Sequence, residues 1–231
     1  MSVVILLLMH LQVASSELKL QINAPSNAAN LSDSQIKFEV YRKGEKVGFH
    51  NVEFKLIGDE LNVDSTFQIE IDFLFFTAFK FYYHSESRWK NGLLTSLKAT
   101  INDDGKTSFV TLFREENLIY VKNSIETYTV PTPLFPTNHW NPDVLQEKRV
   151  LNTLTGQINN VNIKLLGNDD VITENGKIKA NYYRYTGDLN TEVWYDADSR
   201  WVKMRFEGKD GSKIEYRCIR CQGSRIMNNQ L

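Results

Sequence analysis

The strongest constraint on this chain is an alternation with period two. Leu61, Val63, Phe67, Ile69 and Ile71 recur at every second position or near it, with Asn62, Asp64, Thr66, Gln68 and Glu70 between them. A strand sends successive side chains to opposite faces, so the pattern marks a sheet with one dry and one wet side. The same design repeats along the chain. Residues 36–42 alternate up to Lys43-Gly44-Glu45-Lys46, residues 47–57 run to Gly58-Asp59, and further runs cover 93–101, 108–114 and 118–129. Strands resume at 161–166, 178–186, 191–195, 201–207 and 212–220, punctuated by Gly167-Asn168-Asp169-Asp170, Asn175-Gly176, Asp196-Ala197-Asp198 and Lys209-Asp210-Gly211. Gly, Asn and Asp supply the turn conformations that join such strands. About ten antiparallel strands at this spacing predict an all-β protein, a curved meander closing into a half-barrel, barrel or sandwich.

Residues 73–83 depart from the alternation. Phe73, Phe75, Phe76, Phe79, Phe81, Tyr82 and Tyr83 fall within this one segment and occupy both parities. A strand of this kind is covered on both sides or lines a cavity. Core packing accounts for one face; the other must meet a crossover helix, a second sheet or a cavity holding an apolar ligand. Phe75, Phe79, Phe81 and Tyr83, with Trp89 and Trp140, are therefore the candidate ligand-contacting residues. A second departure lies further on. Pro131, Pro133, Pro136 and Pro142 cluster where ladder hydrogen bonds must be given up. Asn141-Pro142-Asp143 reads as an N-cap with proline at N1, predicting one short helix over 142–148.

Charge and length narrow the functional classes. The 231 residues carry 27 Lys+Arg against 28 Asp+Glu, a formal net charge of −1, without the excess of cations that a nucleic-acid surface requires. At 42% hydrophobic residues the chain can bury a core, and the continuous meander places residues 36–221 in one domain. Residues 3–11 are an apolar run, and no charged side chain precedes Glu17. The run is half the length of a spanning helix and fits the hydrophobic region of a secretory signal, with Val13-Ala14-Ser15 as the cleavage site. The alternative is a buried first strand. The organisation expected is a signal peptide at 1–15, an Asn-, Ser- and Ala-rich leader at 16–35, the β domain, and a tail at 222–231. Lys, Glu and Asp on both faces of several strands argue against an outer-membrane barrel.

Several strings carry a family resemblance. Tyr83-His84-Ser85-Glu86-Ser87-Arg88-Trp89, Asn91-Gly92-Leu93 and Thr100-Ile101-Asn102-Asp103-Asp104-Gly105-Lys106 are joined by Tyr41-Arg42-Lys43-Gly44-Glu45-Lys46-Val47-Gly48-Phe49-His50. With His139-Trp140-Asn141, Leu151-Asn152-Thr153-Leu154-Thr155-Gly156, Tyr185-Thr186-Gly187-Asp188-Leu189 and Trp194-Tyr195-Asp196, they resemble a family of exported Gram-negative bacterial proteins defined only as a domain of unknown function. The resemblance implies an exported, periplasmic, β-rich single domain and carries over no catalytic residues. Trp194-Tyr195-Asp196 and the strand after it are also similar to the hairpins of periplasmic lipoprotein carriers, a likeness of fold alone.

Chemistry-bearing residues are few. Cys218-Ile219-Arg220-Cys221 has thioredoxin-like spacing but no helix after it. In a continuous strand the two Cα atoms would stand ~10 Å apart, beyond the ~7 Å that a disulfide spans, so a bridge requires the strand to end in a turn there. His139 could act as a base oriented by Asp143 or Glu147; otherwise His139-Trp140-Asn141 is a Trp plug over one end of the sheet. Glu86 and Asp188 are isolated carboxylates, and His50, His84 and His139 lack metal-ligand spacing. No catalytic residue, metal or cofactor is assigned. The expectation is a non-enzymatic envelope protein that binds a hydrophobic or lipid-like molecule. The alternatives are a scaffold offering a sheet edge to an envelope partner and a hydrolase using His139.

Overall fold

The computed structural model describes residues 35–73, 76–208 and 210–222. The expected signal peptide, most of the leader and all but Gln222 of the tail lie outside them. Fifteen strands follow in chain order: β1 (Gln35–Arg42), β2 (Glu45–Ile57), β3 (Glu60–Phe73), β4 (Phe76–Lys90), β5 (Leu93–Asp103), β6 (Lys106–Glu115), β7 (Leu118–Asn123) and β8 (Thr127–Pro131) before the crossover. Within it lies β9 (Phe135–Pro136), and after it come β10 (Arg149–Asn152), β11 (Gln157–Thr173), β12 (Gly176–Gly187), β13 (Thr191–Tyr195), β14 (Trp201–Glu207) and β15 (Lys213–Arg220). They form one sheet in which β1 pairs with both β2 and β15, so the two ends of the meander adjoin. All neighbours are antiparallel except β9 and β10.

Two expectations are corrected here. The described residues form fifteen strands rather than about ten, because runs that read as single strands contain turns. The aromatic segment 73–83 is the main case: β3 ends at Phe73 and β4 begins at Phe76, and the two pair with each other. Its double parity is a hairpin changing direction, not a strand apolar on both faces. From Phe79 onward β4 alternates in the ordinary way, with Tyr83, Ser85, Ser87 and Trp89 buried and Lys80, Tyr82, Glu86 and Arg88 exposed. The expected helix over 142–148 is a 3-10 turn at Pro142–Gln146. Its start is as read: Asn141 is the N-cap and accepts a hydrogen bond from the Asp143 backbone N–H.

The sheet curls until β7 and β8 meet the turn after β10, and this seam is closed by side chains. Asn123 Nδ2 (3.2 Å) and Tyr128 OH (2.6 Å) both donate to the Gly156 carbonyl. Gly156 has φ +67°, and a Cβ there would lie 2.6 Å from Asn123 Cβ, so glycine lets the turn reach the wall. The free edges are short, five residues at β8 and two at β9.

The crossover does not run over the surface. Residues 132–148 enter the barrel, where Leu134, Phe135, His139, Trp140, Asn141 and Val144 are all buried. The wall makes room for them. Register places Val52 opposite Ser65, Ser65 opposite Ser85, Ser85 opposite Ala99 and Ala99 opposite Val110, all buried. This belt of small side chains recesses the interior at mid-height.

Candidate functional site

Three rows of inward side chains define the interior. Toward the end bearing the β2–β3 and β4–β5 turns stand Phe54 and Trp89, and Trp140 of the crossover packs edge-on against each with ring centroids 5.2 Å apart. Phe135 lies 6.1 Å behind Trp89. Together they plug that end. The middle row is the small-residue belt. Above it, toward the opposite end, stand Phe67, Tyr83 and Tyr216, with Phe81 against Phe67.

Between plug and opposite end lies a cavity of about 260 Å³. Its wall includes Val52, Ser65, Phe67, Tyr83, Trp201 and Tyr216, and its floor is Asn138, His139 and Trp140 of the crossover. Leu154, Leu189, Asn190 and Glu207 form the rim. The volume is at the lower margin of small-molecule sites.

Two imidazoles pack near Trp201 in this interior. The His50 ring centroid lies 5.4 Å from that of Trp201 and the His139 centroid 5.7 Å from it. His50 Nε2 shares a 2.8 Å hydrogen bond with Ser65 Oγ. Burial and, secondarily, the nearby His139 hold the His50 pKa down at about 3; burial alone lowers His139 to about 4. Both rings are therefore neutral at pH 7. Desolvation is the main cause, because an imidazolium here would lose its water without gaining an anionic partner.

Several polar atoms of the cavity-lining residues are buried without a partner in the protein: His50 Nδ1, Tyr83 OH, His139 Nδ1, Trp140 Nε1 and Asn138 Nδ2. Buried polar groups are almost always hydrogen-bonded, so a concentration of orphans around one cavity marks that cavity out. The Trp and Asn atoms are donors only.

Of the residues singled out from sequence, Tyr83 and Trp140 line the cavity, and Trp89 supports Trp140 from outside it. Phe79 and Phe81 are partly buried on the same inner face, nearer the open end. Phe75 lies outside the described residues. His50, Ser65, Ser85, Asn138 and Trp201 were not anticipated. The serines left a trace: Ser65 interrupts the Leu61-to-Ile71 alternation at an inward position, and Ser85 and Ser87 continue the parity of Tyr83 into Trp89. His139 is not hydrogen-bonded to Asp143 or Glu147, whose carboxyls are both shifted upward by burial. Its backbone carbonyl instead accepts from Tyr195 OH at 2.8 Å.

Elsewhere, Cys218 and Cys221 form a disulfide with Cα atoms 5.7 Å apart, made possible because β15 ends at Arg220. Glu174, at the β11–β12 turn, accepts the backbone N–H of Cys221 (2.8 Å) and of Gln222 (2.7 Å) and so ties that turn to the strand end. The sulfurs, committed to each other, are not thiolate ligands for a metal. On the outer face, ligand atoms of Asp64, His84 and Glu86 gather within 4.8 Å, with His84 Nε2 already 2.8 Å from Asp64. This grouping is partly exposed and separate from the interior. Among the described residues no helix is long and apolar enough to cross a membrane.

A curved, largely antiparallel sheet whose ends meet at a side-chain seam, a crossover folded inward as a plug and a cavity above it define a β-barrel-like protein. Residues 38–219 match the model of the domain of unknown function DUF6134, and the chain belongs to that family. Among solved structures it is similar to a beta-barrel-like protein of the domain of unknown function DUF1849 from Brucella abortus. The TM-score is 0.60 at 9% identity, over 84% of this chain and 99% of that one. That likeness concerns the fold. No curated protein matches the chain.

Proposed function

We propose that this protein is a non-enzymatic binding module of the bacterial envelope that holds a small hydrophobic or lipid-like molecule inside its barrel. One observation carries the reading: the cavity of about 260 Å³ above the Trp140 plug, walled by Phe67, Tyr83, Trp201 and Tyr216, with unpartnered polar atoms on residues around it. A barrel of about eight strands fills its interior with its own side chains, whereas a fifteen-stranded sheet can enclose more space. Here the Ser65–Ser85–Ala99 belt leaves room. At ~30 Å³ for each water-sized group, the space suits a ligand of roughly nine such groups. The disulfide and the apolar run at residues 3–11 support export, since disulfides persist in oxidising compartments. A role presenting a sheet edge has less to draw on, because β8 and β9 are short and adjoin the seam. Hydrolysis at His139 lacks a carboxylate partner for the ring.

The test is solvent extraction and mass spectrometry of protein purified from its own host without detergent, beside the variant Leu189→Trp. Leu189 is a partly buried rim residue where a larger side chain obstructs the cavity. An apolar molecule recovered from the native chain and depleted in the variant is expected. Protein that carries none, and takes up no hydrophobic fluorescent probe in either form, would overturn the reading.

A further inference from the structure

The cavity's charge pattern says which amphiphiles it takes. Of the residues that line it, Glu207 alone carries a formal charge at pH 7, and it is exposed at the rim. The cations of the adjoining strands face the other way. Lys203 and Arg205 of β14 lie over the outer Trp194, at 5.0 and 5.5 Å from its ring centroid. Arg205 is paired there with Glu192 at 2.5 Å. Arg217 of β15 stacks on Tyr41 at 3.8 Å. No lysine or arginine therefore reaches the interior site among the described residues that line it.

On residues that line the site, Trp140 Nε1 and Asn138 Nδ2 are donors without acceptors, Tyr83 OH is unpartnered, and the two imidazoles each leave Nδ1 unmatched. A group bringing acceptor oxygens answers these atoms. A carboxylate brings acceptors too, but also a charge that nothing inside neutralises, and burying an unpaired charge outweighs what two or three neutral donors return. An ammonium ion brings donors to Trp140 and Asn138 atoms that already donate, and the one anionic lining group, Glu207, stands exposed at the rim, so a buried ammonium would also go unpaired.

We infer that the interior site, on the reading that it binds small amphiphiles at all, selects uncharged ones: an apolar body ending in an ester, ketone, ether or alcohol oxygen set against Trp140 and Asn138. The crossover thus serves two purposes. Its indole ring closes one end of the barrel, while its Nε1–H and the neighbouring amide read the ligand's head.

The experiment titrates the purified full chain at pH 7.5 with methyl octanoate, 1-octanol, octanoate and octylammonium by isothermal calorimetry. The four share one chain length and differ in the head. The ester and the alcohol are expected to bind at least about tenfold more tightly than either ion. Trp140→Phe keeps an aromatic plug but removes the indole N–H, and Asn138→Leu removes the amide at similar volume. Each is expected to weaken the ester about three- to tenfold. The inference is overturned if octanoate or octylammonium matches the ester. It is also overturned if both variants bind the ester as the parent does. If none of the four binds, the cavity-binding reading falls and this inference with it. Ionic ligands binding well would leave that reading standing and remove only the selectivity.

Discussion

The two ends of the barrel are built from similar residues and behave differently. At one, Trp89 of β4, Phe54 of β2 and Trp140 of the crossover interlock as aromatic rings 5.2 Å apart. At the other, Phe67 of β3 and Phe81 and Tyr83 of β4 are also aromatic, yet a cavity persists beneath them. The strands do not make this difference. Their alternation is the same along their length. The crossover does: it enters at the β6–β7 turn, where the Thr132 N–H donates to the Asn117 carbonyl, and deposits Trp140 at the near end only. A wall of uniform alternation becomes a closed end and a receiving end through seventeen residues (132–148), of which Phe135 and Pro136 alone join the sheet.

Removing the plug should have the largest effect. Trp140 is 7% exposed and packs against two aromatic rings, so Trp140→Ala leaves a void in a wall that cannot collapse into it. A loss of ~3–5 kcal/mol in urea unfolding is expected. A loss below about 1 kcal/mol would mean that this end is closed without it.

Acid should act next, on the imidazoles between plug and cavity. In the unfolded chain His50 and His139 titrate near 6.5, whereas in the fold they are held at about 3 and about 4. A depressed folded pKa means that protons bind the unfolded state first. The stability is therefore fully present above about pH 6.5 and falls as pH drops toward the folded values. By pH 5 the loss is about 2 kcal/mol for each imidazole, ~4 for the pair. That window lies above ordinary carboxylate titration. Unfolding free energy measured from pH 8 to 5 should fall along this course in the parent, and be nearly flat over it in a His50→Gln, His139→Gln double variant. A parent curve without slope there would show that neither ring is buried neutral.

Closure of the seam ranks third. A Cβ on Gly156 would meet Asn123 Cβ at 2.6 Å and Val110 Cγ2 at 3.1 Å, at a residue with φ +67°. Gly156→Ala combines a clash with left-handed strain, and ~2 kcal/mol of destabilisation is expected in the same urea assay. Gly105 also has positive φ, yet a Cβ there meets nothing within 4 Å. Gly105→Ala should therefore lose less, and equal losses at the two sites would deny the seam any special closeness.

Much of this architecture was legible in the residues, and what was not has physical causes. The inward series Leu61, Val63, Phe67, Ile69 could be read because period two leaves no other explanation. The turns Lys43-Gly44 and Asp104-Gly105 could be read because their backbone conformations favour such residues. The break inside residues 73–83 could not, since a hairpin joining aromatic strands without Gly, Pro, Asn or Asp leaves no turn signal. The crossover's composition announced that pairing stops there, but not that the chain turns inward. That depends on Ser65, Ser85 and Ala99 lying side by side on three strands, a register relation invisible in any one segment. His50 was hidden for the same reason: its neighbours Ser65, Trp201 and Tyr216 come from β3, β14 and β15.

The smallest expected effect lies at the rim, and it is the sharpest test of the contrast between ends. Leu154 borders the cavity but is 42% exposed, so its side chain contributes little that folding requires. Leu154→Ser removes apolar surface that is largely wet already, and stability should change by less than about 0.5 kcal/mol. If the open end is a receiving surface, the same substitution removes part of what an amphiphile touches on entering. Calorimetry with methyl octanoate should then show weaker binding on an undiminished fold. At the plugged end the order is reversed, since Leu61 is 5% exposed and Leu61→Ser strikes stability first. Leu154→Ser costing as much stability as Leu61→Ser would mean that the rim is core, and that the two ends differ in shape alone.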